Sequence, residues 1–138
     1  KLRCYKYRII NRRPPLTIDR NRAWAVYKKL NINKIVDESK SFVGKHNLAA
    51  FRSINCQSKT SIKTIESIDV NYKNNELKIY VSAKSFLHSQ VRIMVGTLIE
   101  IGKGKIKVSV ADIIKSKERS CAGMTAPAHG LYLTKVDY

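Results

Sequence analysis

The sequence of 138 residues lacks several features that mark whole classes of protein. No apolar run approaches the roughly 20 residues of a membrane-spanning helix, and the charged start does not have the pattern of a secretion signal. The cysteines Cys4, Cys56 and Cys121 are far apart, and no histidine stands at zinc-ligand spacing from them. These absences argue against a membrane protein, a secreted disulfide scaffold and any metal site, and they predict free thiols in a reducing cytoplasm.

Motifs of the common nucleotide-binding and hydrolase sites are also missing. The chain has no Gly-rich phosphate loop, no dinucleotide fingerprint and no nucleophile elbow with partners in Ser-Asp-His order. Acidic residues are few: 10 Asp and Glu stand against 27 Lys and Arg, which leaves a net charge of +17. The basic residues are spread over the whole chain, so we expect a folded basic surface and a polyanionic partner, most often nucleic acid.

Hydrophobic periodicity predicts an α+β fold in a single domain, residues 1–138. We expect a mostly antiparallel mixed sheet with helices packed on one face, because a hairpin interrupts the alternation of strands and helices. The first helix is capped by Asn31 or Asn33 and ends at Gly44. The predicted elements, in order, are a strand at 4–10, a helix at 33–43, a hairpin of strands at 62–72 and 77–83, a helix from 86 to 102, a helix at 110–117 capped by Ser109, and a strand at 131–136.

Tyrosines and cations alternate on the first predicted strand. Tyr5 and Tyr7 share one face of the strand, and Lys6 and Arg8 share the other. Aromatic rings beside cations suit stacking on a base while the cations hold phosphate. A pair of core tyrosines is the alternative, and spacing alone favours it.

Two further segments carry polar side chains that suit RNA recognition. Arg52, Gln57 and Lys59 belong to a polar loop before the hairpin, which either contacts nucleotides or is simply solvated. Arg92 lies within the most apolar predicted helix, so it requires an anionic partner unless it extends to solvent at the helix edge. His88, four residues earlier on the same predicted face, is a core-edge histidine or a catalytic one.

Small residues fill the loop before the last strand. Thr125-Ala126-Pro127-Ala128-His129-Gly130 runs directly into Leu131-Tyr132-Leu133. Small side chains let a backbone approach another group closely, although a tight structural turn has the same composition.

Five segments together resemble the C-terminal part of the tRNA pseudouridine synthase A family. They occur in family order over nearly the whole chain. The segments are Tyr5-Lys6-Tyr7-Arg8-Ile9-Ile10, residues 42–52, Cys56-Gln57-Ser58-Lys59-Thr60, residues 86–98 with Phe86-Leu87-His88 and Val91-Arg92, and residues 125–133.

The resemblance implies an isomerase that needs no cofactor and converts uridine to pseudouridine in the anticodon stem-loop of tRNA. It implies that Tyr5 packs on the uracil ring and assists proton movement, and that Arg92 pairs with the nucleophilic aspartate. It also implies a cytoplasmic homodimer, with tRNA lying across both subunits and no membrane partner. The candidate RNA contacts are Arg3, Lys6, Arg52, Gln57, Lys59 and His88.

The nucleophilic aspartate of the family is absent from this chain. In the family it belongs to an Arg-Thr-Asp-Ala-Gly motif, and no such motif occurs here. The chain also begins with Lys, which fits a segment of a longer protein. We therefore expect this chain alone to be inactive, and the alternative function is a stand-alone basic RNA-binding module without catalysis.

Overall fold

The computed structural model describes residues 2–12, 22–54, 56 and 58–137. It contains the strands and helices of an α+β fold, joined by short 3₁₀ turns. The elements are β1 (Leu2–Ile10), β2 (Trp24–Ala25), α1 (Ile32–Ser39), β3 (Gly44–Asn47), β4 (Ile62–Lys73), β5 (Glu76–Ala83), α2 (Gln90–Gly102), α3 (Val110–Ser116) and β6 (Leu131–Asp137).

Within the described ranges the strands form one mixed sheet in the order β2-β1-β5-β4-β3, and β6 also pairs with β1. All pairings are antiparallel except the short parallel contact between β2 and β1. The buried side chains of β1 and β5 belong to the same core as those of α1 and α2, so these helices cover one sheet face. The predicted α+β class, with a mostly antiparallel mixed sheet, is confirmed.

Alternation along β1 divides its side chains between two environments. Tyr7 and Ile9 are fully buried in the core, and Tyr5 lies on the same face. On the opposite face, Arg8 forms an ion pair with Glu76 in which Nε and Oε2 are 2.6 Å apart. The predicted sharing of faces along this strand is therefore confirmed.

The predicted hairpin is present, but a bulge in β4 changes which of its residues face the core. Asn74 and Asn75 form the turn with φ of 53° and 62°, a conformation that asparagine tolerates. The pairing with β5 shifts between Ile65 and Ser67, because one extra residue is inserted there. Ile65 is therefore buried while Ile62 is 47% exposed, and the uniform alternation expected from Ile62 onward is wrong before the bulge.

The first helix is shorter than predicted. Asn31 caps α1, since its side chain accepts a hydrogen bond of 3.1 Å from the backbone N–H of Lys34. The α-helix stops at Ser39, a 3₁₀ turn follows, and Gly44 begins β3 instead of ending the helix. Neither β2 nor β3 was expected, because strands of two and four residues without apolar alternation are stabilised by their partners in the sheet and not by their own sequence.

The second helix begins four residues later than the periodicity indicates. Ser89 has φ of 61°, which interrupts helical geometry, and α2 starts at Gln90. The side chain of Gln90 closes this turn by accepting a hydrogen bond of 2.8 Å from the N–H of Leu87. His88 therefore lies before the helix and not on its face. In the part of the chain that is described, no helix has the length and apolarity to cross a membrane.

The third helix confirms its predicted cap. The side chain of Ser109 accepts a hydrogen bond of 3.1 Å from the N–H of Asp112, as expected at an N-terminus. The helix ends at Ser116, where Lys117 adopts a left-handed conformation with φ of 58°. Buried Val110 and Ile113 attach it to the main core.

Candidate active site

Tyr5 of β1 and Arg92 of α2 line the same small cavity. The cavity has a volume of about 80 Å³ and is bordered by the start of α2, by the segment before it and by the first residue of β6. Its lining residues are Tyr5, Phe86, Leu87, Ser89, Gln90, Val91, Arg92 and Leu131. The two residues with predicted catalytic roles, which are 87 positions apart in the sequence, are thus brought together.

The ring of Tyr5 is held by an aromatic neighbour. Phe86 packs edge-to-face against it, with ring centroids 5.3 Å apart and an interplanar angle of 79°. Such a pair prefers this geometry because the positive edge of one ring meets the negative face of the other. Tyr5 is half-buried, so part of the side chain remains accessible from the cavity.

The guanidinium of Arg92 is anchored to a backbone carbonyl. Its Nε donates a hydrogen bond of 2.8 Å to the carbonyl oxygen of Ala126. Within the described ranges no carboxylate lies at ion-pair distance from Arg92. The anion expected from the sequence is therefore replaced here by a carbonyl, and the two terminal nitrogens of the guanidinium make no hydrogen bond to a described residue.

The small-residue loop packs directly on α2. A side chain at Gly96 would place its Cβ 1.8 Å from the carbonyl oxygen of Met124, so only glycine allows this approach. Thr97 strengthens the contact, since its hydroxyl accepts a hydrogen bond of 2.8 Å from the N–H of Gly123. Within the predicted loop the close approach occurs at Gly130, where an added Cβ would lie 2.7 Å from Cζ of Tyr7. The alternative, a tight turn, is also present as the 3₁₀ turn Ala128–Gly130.

Tyr7 packs under this loop in the hydrophobic core. It is therefore the core tyrosine that the alternative interpretation of the Tyr5 and Tyr7 spacing predicted. It is fully buried, and its hydroxyl donates a hydrogen bond of 2.6 Å to the carbonyl oxygen of Pro127. Burial raises the pKa of Tyr7, and the nearby charge of Arg92 opposes that effect. The hydroxyl thus stays protonated and keeps its role as a donor.

Arg52 organises its own loop. Its guanidinium donates to the hydroxyl of Ser61 at 2.6 Å and to the carbonyl oxygens of Cys56 and Ser58 at 3.0 and 2.9 Å. These bonds connect Arg52 to the segment from Cys56 to Ser61. The sequence does not predict this role, because most of the partners are backbone atoms.

A thiol in the same loop has an altered acidity. The backbone hydrogen bond from Ser58 lowers the pKa of Cys56, burial acts in the opposite direction, and the backbone of His88 and the charge of Arg52 lower it further. The three cysteines are free thiols. Across the residues that the structure describes, no group of three His, Cys, Asp or Glu side chains could hold a metal ion.

The remaining predicted RNA contacts are distributed around the sheet. Arg3 lies on the face of β1 that carries Tyr5, whereas Lys6 lies on the opposite face, with its ammonium 5.3 Å from the centroid of the Tyr132 ring. His88 and Lys59 are exposed, and the carbonyl oxygen of His88 accepts a hydrogen bond of 3.2 Å from the N–H of Ser53. Gln57 is outside the described residues. Lys6 and Tyr5 thus lie on opposite faces of the sheet.

Comparison with known proteins connects this arrangement to one family. Residues 39–138 match the family model described as tRNA pseudouridine synthase. The chain is 52% identical over 139 aligned positions to tRNA pseudouridine synthase A of Anaplasma phagocytophilum, covering all of this chain and 56% of that relative. Identities to the proteins of the same name from Ehrlichia chaffeensis and Wolbachia pipientis wMel are 50% and 45%, each over all of this chain and 57% of the relative. The chain spans little more than half the length of these relatives.

Proposed function

Because this chain belongs to the tRNA pseudouridine synthase family, we propose that it supplies part of the active site of an enzyme that converts uridine to pseudouridine in tRNA. The observation that carries the proposal is the cavity that Tyr5 and Arg92 both line. The full activity belongs to the protein translated from the complete reading frame that contains this chain, which we call the complete protein.

The reaction exchanges one bond to the ribose for another. The bond from C1′ to N1 of uracil breaks, a bond from C1′ to C5 forms, C5 loses a proton and N1 gains one. Electrons and atoms balance within the nucleotide, so neither an oxidant nor a cofactor is required. The target base leaves its stack first, as in other enzymes that act on a base.

The cavity provides an apolar surface for the displaced base. Tyr5, Phe86 and Leu131 line it together, and the edge-to-face contact holds the Tyr5 ring in place. An aromatic ring can stack on any base, because every base has a π-face. In this proposal the ring of Tyr5 packs on uracil, and its hydroxyl assists the proton transfer at C5.

Arg92 is placed to hold a carboxylate. Its terminal nitrogens form a planar fork that matches the two oxygens of a carboxylate, while Nε remains bonded to Ala126. In this proposal the nucleophilic carboxylate comes from the complete protein outside this chain, and Arg92 keeps it ionised and oriented toward C1′.

The tRNA substrate is bound largely through its phosphates. The net charge of +17 supports a polyanionic partner, and phosphate contacts dominate the affinity of such complexes. We place Arg3 and Lys59 among these contacts, assign the anticodon arm as the region modified, and assign a cytoplasmic homodimer as the working form.

Release of tritium tests the reaction directly. A tRNA transcript labelled with tritium at C5 of uridine loses the label to water only when C5 is deprotonated. We expect release with the complete protein and none with this chain alone. Release by this chain alone would contradict the proposed location of the nucleophile, and no release by the complete protein would contradict the reaction itself.

A second candidate function is RNA binding without catalysis. It is favoured by the basic charge together with the lack of a carboxylate near Arg92 in the described part of the chain. This candidate predicts that the complete protein binds tRNA with a steep salt dependence and releases no tritium.

A further inference from the structure

We propose that a groove beside the candidate active site, lined by Lys45, Lys63 and Lys84, binds phosphodiester groups of the RNA backbone. The groove has a volume of about 220 Å³, and its other lining residues are Ile62, Thr64 and Ser85. It shares no lining residue with the cavity of Tyr5 and Arg92. We call it the lysine groove, and its assignment to RNA rests on the proposed function.

The charge of the lysine groove has one sign. Lys45 comes from β3, Lys63 from β4, and Lys84 directly follows β5, so the fold gathers them from separate parts of the sequence. No acidic side chain is among the described residues that line it. Three ammonium groups around one concavity create a positive potential that attracts an anion more strongly than the same lysines dispersed over a surface.

One of these ammonium groups is already positioned. The Nζ of Lys63 donates a hydrogen bond of 3.0 Å to the hydroxyl of Ser85, another lining residue of the groove. An ammonium has three donors, so this bond leaves two for a phosphate oxygen. The hydroxyls of Thr64 and Ser85 add further donors at the same place. Because the side chain of Lys63 is already held, ordering it on binding costs less conformational entropy.

The location of the lysine groove favours RNA over an unconnected anion. Lys84 and Ser85 directly precede Phe86, which packs on Tyr5. The Cα atoms of consecutive residues are only about 3.8 Å apart, so the groove is close to the candidate active site. On its other side, Ile62 follows Ser61, to which Arg52 donates. The lysine groove thus adjoins the Arg52 loop at Ile62 and the candidate active site at Ser85, which precedes Phe86. A strand that delivers a uridine to Tyr5 brings neighbouring phosphates to this position.

Binding of the complete protein to a fluorescent tRNA transcript tests the assignment. The groove variant is Lys63→Gln with Lys84→Gln, and the matched control is Lys73→Gln with Lys107→Gln, two exposed lysines outside both cavities. Lys73 lies on the same strand as Lys63, ten residues and roughly 33 Å away. Both double variants remove two positive charges, so long-range electrostatic effects are alike.

We expect the groove variant to bind tRNA about tenfold more weakly at low salt than the control. The slope of log K against log salt should fall by about 1 to 2, since each phosphate contact contributes about 0.7 to 0.9. The variant Lys63→Arg with Lys84→Arg keeps both charges, so it should retain the native slope of log K against log salt. This result would show that the groove variant loses binding through its lost charges and not through misfolding. Equal losses in the groove variant and the control would overturn the proposal.

Three other outcomes are equally informative. If the groove variant loses binding of inorganic phosphate, measured by calorimetry, but binds tRNA like the control, the site is for a free anion and the RNA assignment is wrong. If tritium release is absent in the complete protein while the variants still differ in tRNA binding, the proposed reaction fails and the lysine groove stands. Release of tritium with no difference between the variants makes the lysine groove alone wrong.

Discussion

Arg92 and Ala126 are joined by two hydrogen bonds that run in opposite directions. The guanidinium Nε of Arg92 donates to the carbonyl oxygen of Ala126 at 2.8 Å, and the N–H of Ala126 donates to the carbonyl oxygen of Arg92 at 3.0 Å. The side chain and the backbone of one residue thus both hold the same point of the loop. This double contact orients the guanidinium before any substrate or carboxylate arrives.

Removal of the Arg92 guanidinium should abolish turnover in the complete protein. We expect Arg92→Ala to lower kcat by roughly a thousandfold or more, because a nucleophilic carboxylate would lose its ionic partner. Arg92→Lys retains the charge without the fork, so it should restore only a minor part of the rate. Tritium release gives the rates, and exposed Arg12 serves as the control in Arg12→Ala. A normal rate in Arg92→Ala contradicts the pairing.

Substitutions at Tyr5 should separate catalysis from binding. Tyr5→Phe keeps the packing on Phe86 and removes only the hydroxyl, whereas Tyr5→Ala removes both. We expect both variants to bind tRNA nearly as tightly as the native protein, since phosphates dominate affinity, and both to lose turnover, Tyr5→Ala more than Tyr5→Phe. Kd and kcat are measured side by side, with Tyr27→Phe on the exposed surface as the control. Parallel losses of Kd and kcat would place Tyr5 in RNA binding instead.

Gly96→Ala should destabilise the fold although alanine favours helices. The gain in helix propensity is about 0.5 to 1 kcal/mol, but the added Cβ would lie 1.8 Å from the Met124 carbonyl oxygen. A backbone clash of this kind outweighs that gain, and we expect a net loss of at least about 2 kcal/mol. Chemical denaturation measures it. Gly104→Ala is the comparison. An added Cβ there meets nothing within 4 Å, but the φ of +82° is unfavourable for alanine, so we expect a loss of about 1 kcal/mol in the free energy of unfolding.

The stability of the chain should decline at high pH partly because of Tyr7. Burial raises the pKa of Tyr7, with the Arg92 charge opposing it, so above the ordinary tyrosine value of about 10 the unfolded chain loses a proton that the folded chain keeps. Proton loss then favours unfolding, and this contribution is intact below about pH 10 and declines above it.

Tyr7→Phe should make the decline of the free energy of unfolding with pH less steep, by up to about 1.4 kcal/mol per pH unit. Below pH 10 the same variant should be less stable by about 1 kcal/mol, because the bond to Pro127 is lost. Denaturant unfolding at several pH values checks both effects, with Tyr27→Phe as the control. An unchanged slope in Tyr7→Phe would show that folding does not raise the pKa of Tyr7.

Sequence patterns predicted the structure correctly where it depends on residues that are close together in the chain. The shared strand face of Tyr5 and Tyr7, the cap at Ser109 and the hairpin of strands at 62–72 and 77–83 were each predicted and are each observed. Short strands and the bulge after Ile65 were not predictable, because cross-strand pairing decides them. For the same reason the sequence could not show that Arg52 bonds to the loop from Cys56 to Ser61.

The sequence by itself determined the class of fold, the basic charge and the family, since each depends on composition, periodicity or ordered motifs. It also singled out Arg92, because an arginine among apolar residues requires a partner. Only the tertiary structure decided what that partner is, that Phe86 packs on Tyr5, and that three distant lysines share one groove. Such relationships depend on how strands pair and where loops pack, and these are set by contacts between residues far apart in the chain.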